Sequence, residues 1–279
     1  MLTLPKRTID DLKTLYFLEP TIKDIFVEGV YDKDVISSWC KSNGETNLVA
    51  YEIDVIDLPM DILNKYFLTE GNRQRVIALS KELMDTRSDS YSCLVDRDLD
   101  HWFGELENIP RLFWTEYCSL ELYFFTEEII RSIIIDVARS RVDNWSGFYS
   151  SFISTLKLLY SMRLCDRELQ SNLTWISFDR CLSVVNGGLV FDHNEYIKRN
   201  LNSNGNISIL QEFMLGTNKW MNLLNGDPRG FIRGHDFIEL IALSNKNFRG
   251  LKPFHDAGAI ERMLILLSAN INQLIISLR

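Results

Sequence analysis

Between residues 24 and 100, short apolar runs alternate with amphipathic stretches, and no other feature restricts the fold as much. "DIFVEG" predicts a strand, "DKDVISSWCKS" a helix, and "TNLVAYEIDVIDLP" a second strand stopped by Pro59. "NRQRVIALSKELMDTR" places apolar residues at 76, 77, 79, 83 and 84, a helical stripe. "YSCLVDRDLD" predicts a third strand whose apolar part ends at Asp96. Strand, helix, strand, helix, strand is the order of a parallel sheet with crossover helices. The expected fold class is therefore α/β.

The second half has another rhythm. Helical patterns run at about 127 to 142 and 147 to 170, and again near 207 to 224, 234 to 244 and 258 to 277. "CLSVVNGGLVFDH" predicts a β-hairpin turning at Asn186-Gly187-Gly188, because Gly and Asn reach the positive φ values of tight turns. "LNSNGNIS" and "NGDPRG" punctuate these segments as loops. Pattern and charge both change near residue 128. Residues 1–128 hold 25 acidic and 13 basic side chains; residues 129–279 hold 13 acidic and 17 basic. Two domains are expected, 1–128 and 129–279. Carboxylates dominate the first, and the second is a mainly helical region suited to contacts with a partner or nucleic acid.

Several function classes recede. A net charge of −8 argues against a surface coated for nucleic-acid binding, although a local basic patch remains open. "MLILLSANINQLIISL" at 263 to 278 is interrupted by Asn and Gln and is too short to span a bilayer. "MLTLPKRTIDDLK" lacks the basic-then-apolar design of an export signal, so no export is expected, and with no spanning segment in view no membrane partner is expected either. Five cysteines without CxxC spacing predict reduced thiols and a cytoplasmic setting. No Walker A sequence is present, so any ATP dependence belongs to a partner.

The chemistry gathers in "IFVEGVYDKDVI" and "LVDRDLD". Loops leaving the carboxyl ends of parallel strands line the ligand crevice, which makes Glu28 and Asp96 candidates to meet at one edge. On extended backbone, Asp96 and Asp98 point to one side, with Asp100 joining them or facing solvent. Gly29 lets the chain turn sharply without bulk. Clustered carboxylates repel unless a hard cation joins them, and an all-oxygen set favours Mg²⁺ or Mn²⁺ over zinc. Such a cation suits phosphodiester hydrolysis. The plainer alternatives are Asp32 as an N-cap and Asp34 as a first-turn macrodipole residue. Glu52 and Asp54 repeat the DxD-like spacing and serve as a decoy.

An apolar strand ending in Glu-Gly, followed by a later strand ending in DxD, resembles the Toprim domain of primases, topoisomerases and OLD-type nucleases. The match covers roughly residues 22 to 128, with Asp32 in its expected place. The resemblance implies a Toprim-like, Rossmannoid domain. It makes Glu28 a metal ligand or general acid–base, and Asp96 and Asp98 metal ligands. "FWTEYCSLELYFFTEEI" and "IRGHDFIEL" are further similar to AriB-like effectors of the PARIS anti-phage systems. That family implies a nuclease held by an ABC-type, AriA-like ATPase and acting on RNA after release, with tRNA as the implied target. By the same analogy Glu121 joins the acidic site, or else is a polar position on a packed helix. His235 contacts phosphate or serves as acid–base, or else is an ordinary polar residue before an Asp236 helix cap. Arg229, Arg233, Lys246, Arg249, Lys252 and Arg262 form the candidate phosphate-facing set. A local basic patch suits a homodimer of the free effector, and Trp220, Met221 and Leu223 are either partner contacts or core. The other expectations kept open are a non-catalytic docking subunit of an ATPase complex and a DNA-directed OLD-like repair nuclease.

Overall fold

Four short parallel strands pair in the order β2-β1-β3-β4 in the computed structural model, which describes residues 6–86 and 88–279. The chain enters through α1 (Ile9–Leu18) and β1 (Lys23–Val27), then α2 (Val30–Asn43) and β2 (Leu48–Glu52). Next come α3 (Met60–Lys65), α4 (Asn72–Leu83), β3 (Tyr91–Val95), α5 (Asp100–Phe103) and β4 (Leu112–Trp114). The expected α/β class with a parallel sheet is what the chain adopts.

Both sheet faces are covered, as parallel sheets require. Phe26, Tyr91, Cys93 and Val95 pack with Leu12 and Tyr16 of α1 and with Val76, Leu79 and Leu83 of α4 in one buried cluster. The alternate residues Ile25, Val27 and Leu94 are also buried, as are Val35, Ile36 and Trp39 of α2. Each such side chain taken fully out of water contributes roughly 1.5–3 kcal/mol.

The remaining elements are α6 (Glu127–Arg131), extended by a π turn at Ser132–Val137, α7 (Trp145–Leu169), and the hairpin β5 (Leu182–Val185) with β6 (Gly188–Phe191). Then follow α8 (His193–Ser203), α9 (Leu210–Leu223), α10 (Gly234–Asn247), α11 (Ala257–Ile265) and α12 (Asn272–Leu278). Asn186 and Gly187 turn the hairpin with φ of 51° and 78°, as its sequence predicts.

Two compact units result. One runs to Leu120 and takes in Arg262–Arg279; the other is Glu121–Glu261. The division thus falls eight positions before the expected one, and the last segment returns to the first unit. There Ser92 Oγ donates to the Leu278 carbonyl at 2.7 Å, and Ser268 and Ser38 hydroxyls meet at 3.2 Å. In the second unit, Phe148 and Phe152 of α7 pack with Phe237, Phe125 and Phe248, ring centroids 5.1–6.4 Å apart.

Some elements differ from expectation. The second strand stops at Glu52, because the Arg75 guanidinium takes the Ile53 and Ile56 carbonyls at 3.3 and 3.1 Å and a tight turn follows. The expected helix over 258 to 277 is broken between Ile265 and Asn272. Helix α1 was legible but not anticipated: Thr8 and Asp11 form a reciprocal capping box at 3.1 and 2.8 Å. Elements α3, α5, α8 and β4 are also additional. Among the described residues no single helix is long and apolar enough to cross a membrane.

Candidate functional site

The carboxyl edge of the sheet brings two of the expected acids together. β1 and β3 are neighbours in parallel register, so the residues that follow Val27 and Val95 leave side by side. Glu28 Oε1 accepts a hydrogen bond from Asp96 N–H at 2.9 Å, across 68 positions of sequence. Asp96 Oδ1 in turn accepts from Leu120 N–H at 3.1 Å. Backbone donors orient both carboxylates.

Gly29 begins α2 on extended backbone, and its N–H donates to Asp32 Oδ2 at 3.3 Å. Asp32 is therefore not the N-cap expected from sequence. It sits one turn inside and caps backwards, because the helix starts at Val30. Asp34, also in α2, meets Lys33 at 3.8 Å and pairs with Arg262.

Asp98 departs from the extended geometry. Its φ is 42°, its N–H donates to the Cys118 carbonyl at 2.8 Å, and so its side chain does not follow that of Asp96. Asp98 Oδ2 lies 3.1 Å from Arg73 Nη1, and Asp100 pairs with the other amino group of the same guanidinium. Arg73 also lies over the Trp114 ring, 5.2 Å from its centroid. Next to it, Asn72 Nδ2 donates to the Glu28 carbonyl at 2.8 Å, which pins the start of α4 to the same edge. Neither Asn72 nor Arg73 was foreseen. A charge at the head of a helical stripe carries no local sign of a partner 25 residues on.

The donor chemistry of this edge is all oxygen, which suits Mg²⁺ or Mn²⁺. The placement does not: among the described residues no three His, Cys, Asp or Glu side chains form a group able to hold a metal. Two carboxylates turn onto backbone N–H groups, and two turn onto Arg73. The decoy acids are likewise engaged, Glu52 by Lys33 and Asp54 by Arg75.

The second unit holds the remaining candidates. Glu121 is buried in a 3₁₀ turn at Leu120–Phe124, with Oε1 3.5 Å from His235 Nδ1. Hydrogen bonding to Glu121 holds the His235 imidazole above the usual histidine range. Asp236 does not cap α10 as expected. It is 2% exposed and accepts two bonds from Arg163, from Nε at 3.0 Å and Nη2 at 2.9 Å. Arg163 lies 4.8 Å from the Trp175 ring centroid. A cavity of about 450 Å³ is lined here by Arg163, Trp175, Tyr196, Arg233, His235 and Asp236.

The expected phosphate-facing residues are largely engaged nearby. Arg229 pairs with Asp227, Lys246 with Asp179 and Arg233, at 3.7 Å, with Asp236. Trp220 is buried, and Leu223 is exposed. No protein-family model matches this chain, and no curated protein matches it.

Proposed function

We propose that this chain is a Toprim-like, Mg²⁺-dependent phosphodiesterase. In this proposal it acts as an anti-phage effector that an AriA-like ABC-type ATPase restrains and that cuts cellular RNA, tRNA in the first place, on release. The observation that carries the chemical part is the 2.9 Å bond joining Asp96 N–H to Glu28 Oε1 at the carboxyl edge of a parallel sheet. The biological part rests on the sequence resemblance. When bound, the divalent ion would neutralise the carboxylates and polarise the phosphoryl oxygen. Glu28 is assigned the proton of the attacking water, whose oxygen forms the new P–O bond as the P–O bond to the ribose breaks. The leaving ribose oxygen takes its proton from solvent water. Asp96 orients that carboxylate through its own N–H.

A second reading has its own support. With Asp98 and Asp100 held by Arg73 and no three-donor group among the described residues, the same edge suits a docking subunit that performs no chemistry.

The test is expression of wild type and Glu28→Ala, with and without the ATPase partner and a phage trigger, followed by sequencing of RNA ends. We expect trigger-dependent breaks in wild type and none in Glu28→Ala, a loss of at least ~100-fold for removal of an acid–base group. Intact RNA and DNA in cells where both versions remain toxic would establish the docking reading.

A further inference from the structure

We propose that the cavity beside α10 is a nucleotide pocket, in which Arg233 and His235 take a phosphate and Glu239 accepts N–H donors from the edge of a base. The pocket lies wholly within the second unit, so the assignment does not depend on any chemistry at the sheet edge.

The cavity is lined by α10 on one side and by an irregular segment, residues 171–177, on the other. Backbone groups of that segment need partners outside helix or sheet, and side chains from α8 and its end supply them. Thr174 N–H donates to Asn204 Oδ1 at 2.8 Å, Ile176 N–H to Asn200 Oδ1 at 3.0 Å, and the Tyr196 hydroxyl to the Ile176 carbonyl at 2.7 Å. Asp166 accepts from Trp175 Nε1 at 3.1 Å. The wall is therefore held in place before a ligand arrives, which spares the ordering cost of binding. At about 450 Å³ the space falls within the range of small-molecule sites, roughly 300–1,000 Å³.

Two of the lining charges, Arg163 and Asp236, satisfy each other. Arg233 is held less well. It lies 3.7 Å from Asp236 Oδ1, too far for a hydrogen bond, and Arg163 Nη2 already holds that oxygen at 2.9 Å. Its side chain is 40% exposed, and its fork of donors matches a phosphate. His235 turns Nδ1 to Glu121, which directs Nε2 away from that carboxylate. Glu239 stands six positions further along α10, roughly 9 Å by helical rise. It accepts from Ser177 Oγ at 2.8 Å, and burial pushes its carboxyl above the usual carboxylate range. A carboxylate so placed gains from further N–H donors.

Cation and acceptor at that separation do not suit an α-amino acid, whose two charged groups are attached to one carbon. They suit a nucleotide, with phosphate at one end, base at the other, and Trp175 and Ile176 as the apolar wall. Guanine offers adjacent ring and amino N–H groups to a carboxylate. Uracil offers a single N–H between two carbonyls, so guanine is the expected base.

Isothermal titration calorimetry of the full chain without divalent ions tests this. The probes are GMP, UMP, inorganic phosphate, and a short single-stranded RNA containing one guanosine beside its uridine counterpart. GMP should bind roughly 5- to 150-fold more tightly than UMP. Glu239→Gln should remove that preference by weakening GMP alone. Arg233→Gln should weaken GMP by at least ~10-fold and leave the preference in place. If the guanosine RNA binds more tightly than GMP and responds to both variants, the ligand is a nucleotide of an RNA chain. If GMP binds as tightly as that RNA or more so, the ligand is a free nucleotide; both results support the pocket. Equal affinity for GMP and UMP, phosphate bound as tightly as GMP, or no binding of GMP or either RNA overturns it. So does GMP affinity unchanged in either folded variant. Should one variant fail to unfold cooperatively in urea, the other decides by the same criterion.

Discussion

Each unit of this protein sets an aspartate against an arginine, and the two pairs are built for different work. In the second unit Arg163 gives Nε and Nη2 to one carboxylate, with side chains 14% and 4% exposed. Trp175 lies beside the guanidinium. In the first unit Arg73 divides itself between two aspartates, one of them 42% exposed, and keeps an unsatisfied Nε–H. Burial and two-point bonding make a fixed strut; division and exposure make a looser contact.

Breaking the strut should have the largest effect. Asp236→Ala strands a buried guanidinium and should cost about 3–5 kcal/mol, read from urea unfolding of the full chain. The Arg163→Met/Asp236→Leu double variant should recover most of that loss, because neither charge then needs a partner. A loss that persists in the double variant would mean the pair does more than neutralise itself.

Breaking the looser contact should be far milder. Asp98→Asn leaves a half-exposed amide in place of a half-exposed carboxylate, and its stability cost should stay within about 1 kcal/mol in the same measurement. A cost near that of Asp236→Ala would erase the distinction drawn between the two pairs.

The smallest effect concerns His235, whose side chain is 70% exposed beside Glu121. Its native value is raised, chiefly by the hydrogen bond to Glu121, so folded protein holds the proton more tightly than unfolded chain. The contribution is complete below the ordinary histidine value of about 6.5 and disappears as pH rises through the raised native value. His235→Gln should therefore destabilise by up to about 1 kcal/mol at pH 5.5 and by almost nothing at pH 9. A pH-independent difference would show that the imidazole matters only by its shape.

Much of the first unit was legible because its information is local. β1, α2, α4 and β3 lie where period and turn residues put them, and Thr8-x-x-Asp11 announces a helix start even though α1 was passed over. The meeting of Glu28 and Asp96 was also readable, because parallel pairing of two strands delivers their carboxyl ends to one edge. Asp98 was not. Its direction depends on a single positive φ and on a bond to Cys118, neither of which leaves a mark in "LVDRDLD". Asp32 and Asp236 failed as caps for related reasons. Helix α2 begins three residues earlier than a cap at Asp32 would place it. At α10, a buried arginine 73 positions away outbids the local N–H groups.

By itself the sequence determined the alternation of strands and helices, the hairpin at Asn186-Gly187, and the delivery of Glu28 and Asp96 to one sheet edge. Those follow from side-chain period, turn conformations and strand pairing, which act over a few residues or through one topological rule. Only the tertiary structure decided which partner each aspartate meets, a backbone N–H for Asp32 and Asp96 and an arginine for Asp98, Asp100 and Asp236. Charge pairing is set by where distant backbones place long side chains and by how much water remains between them, and neither is written in the spacing of the residues themselves.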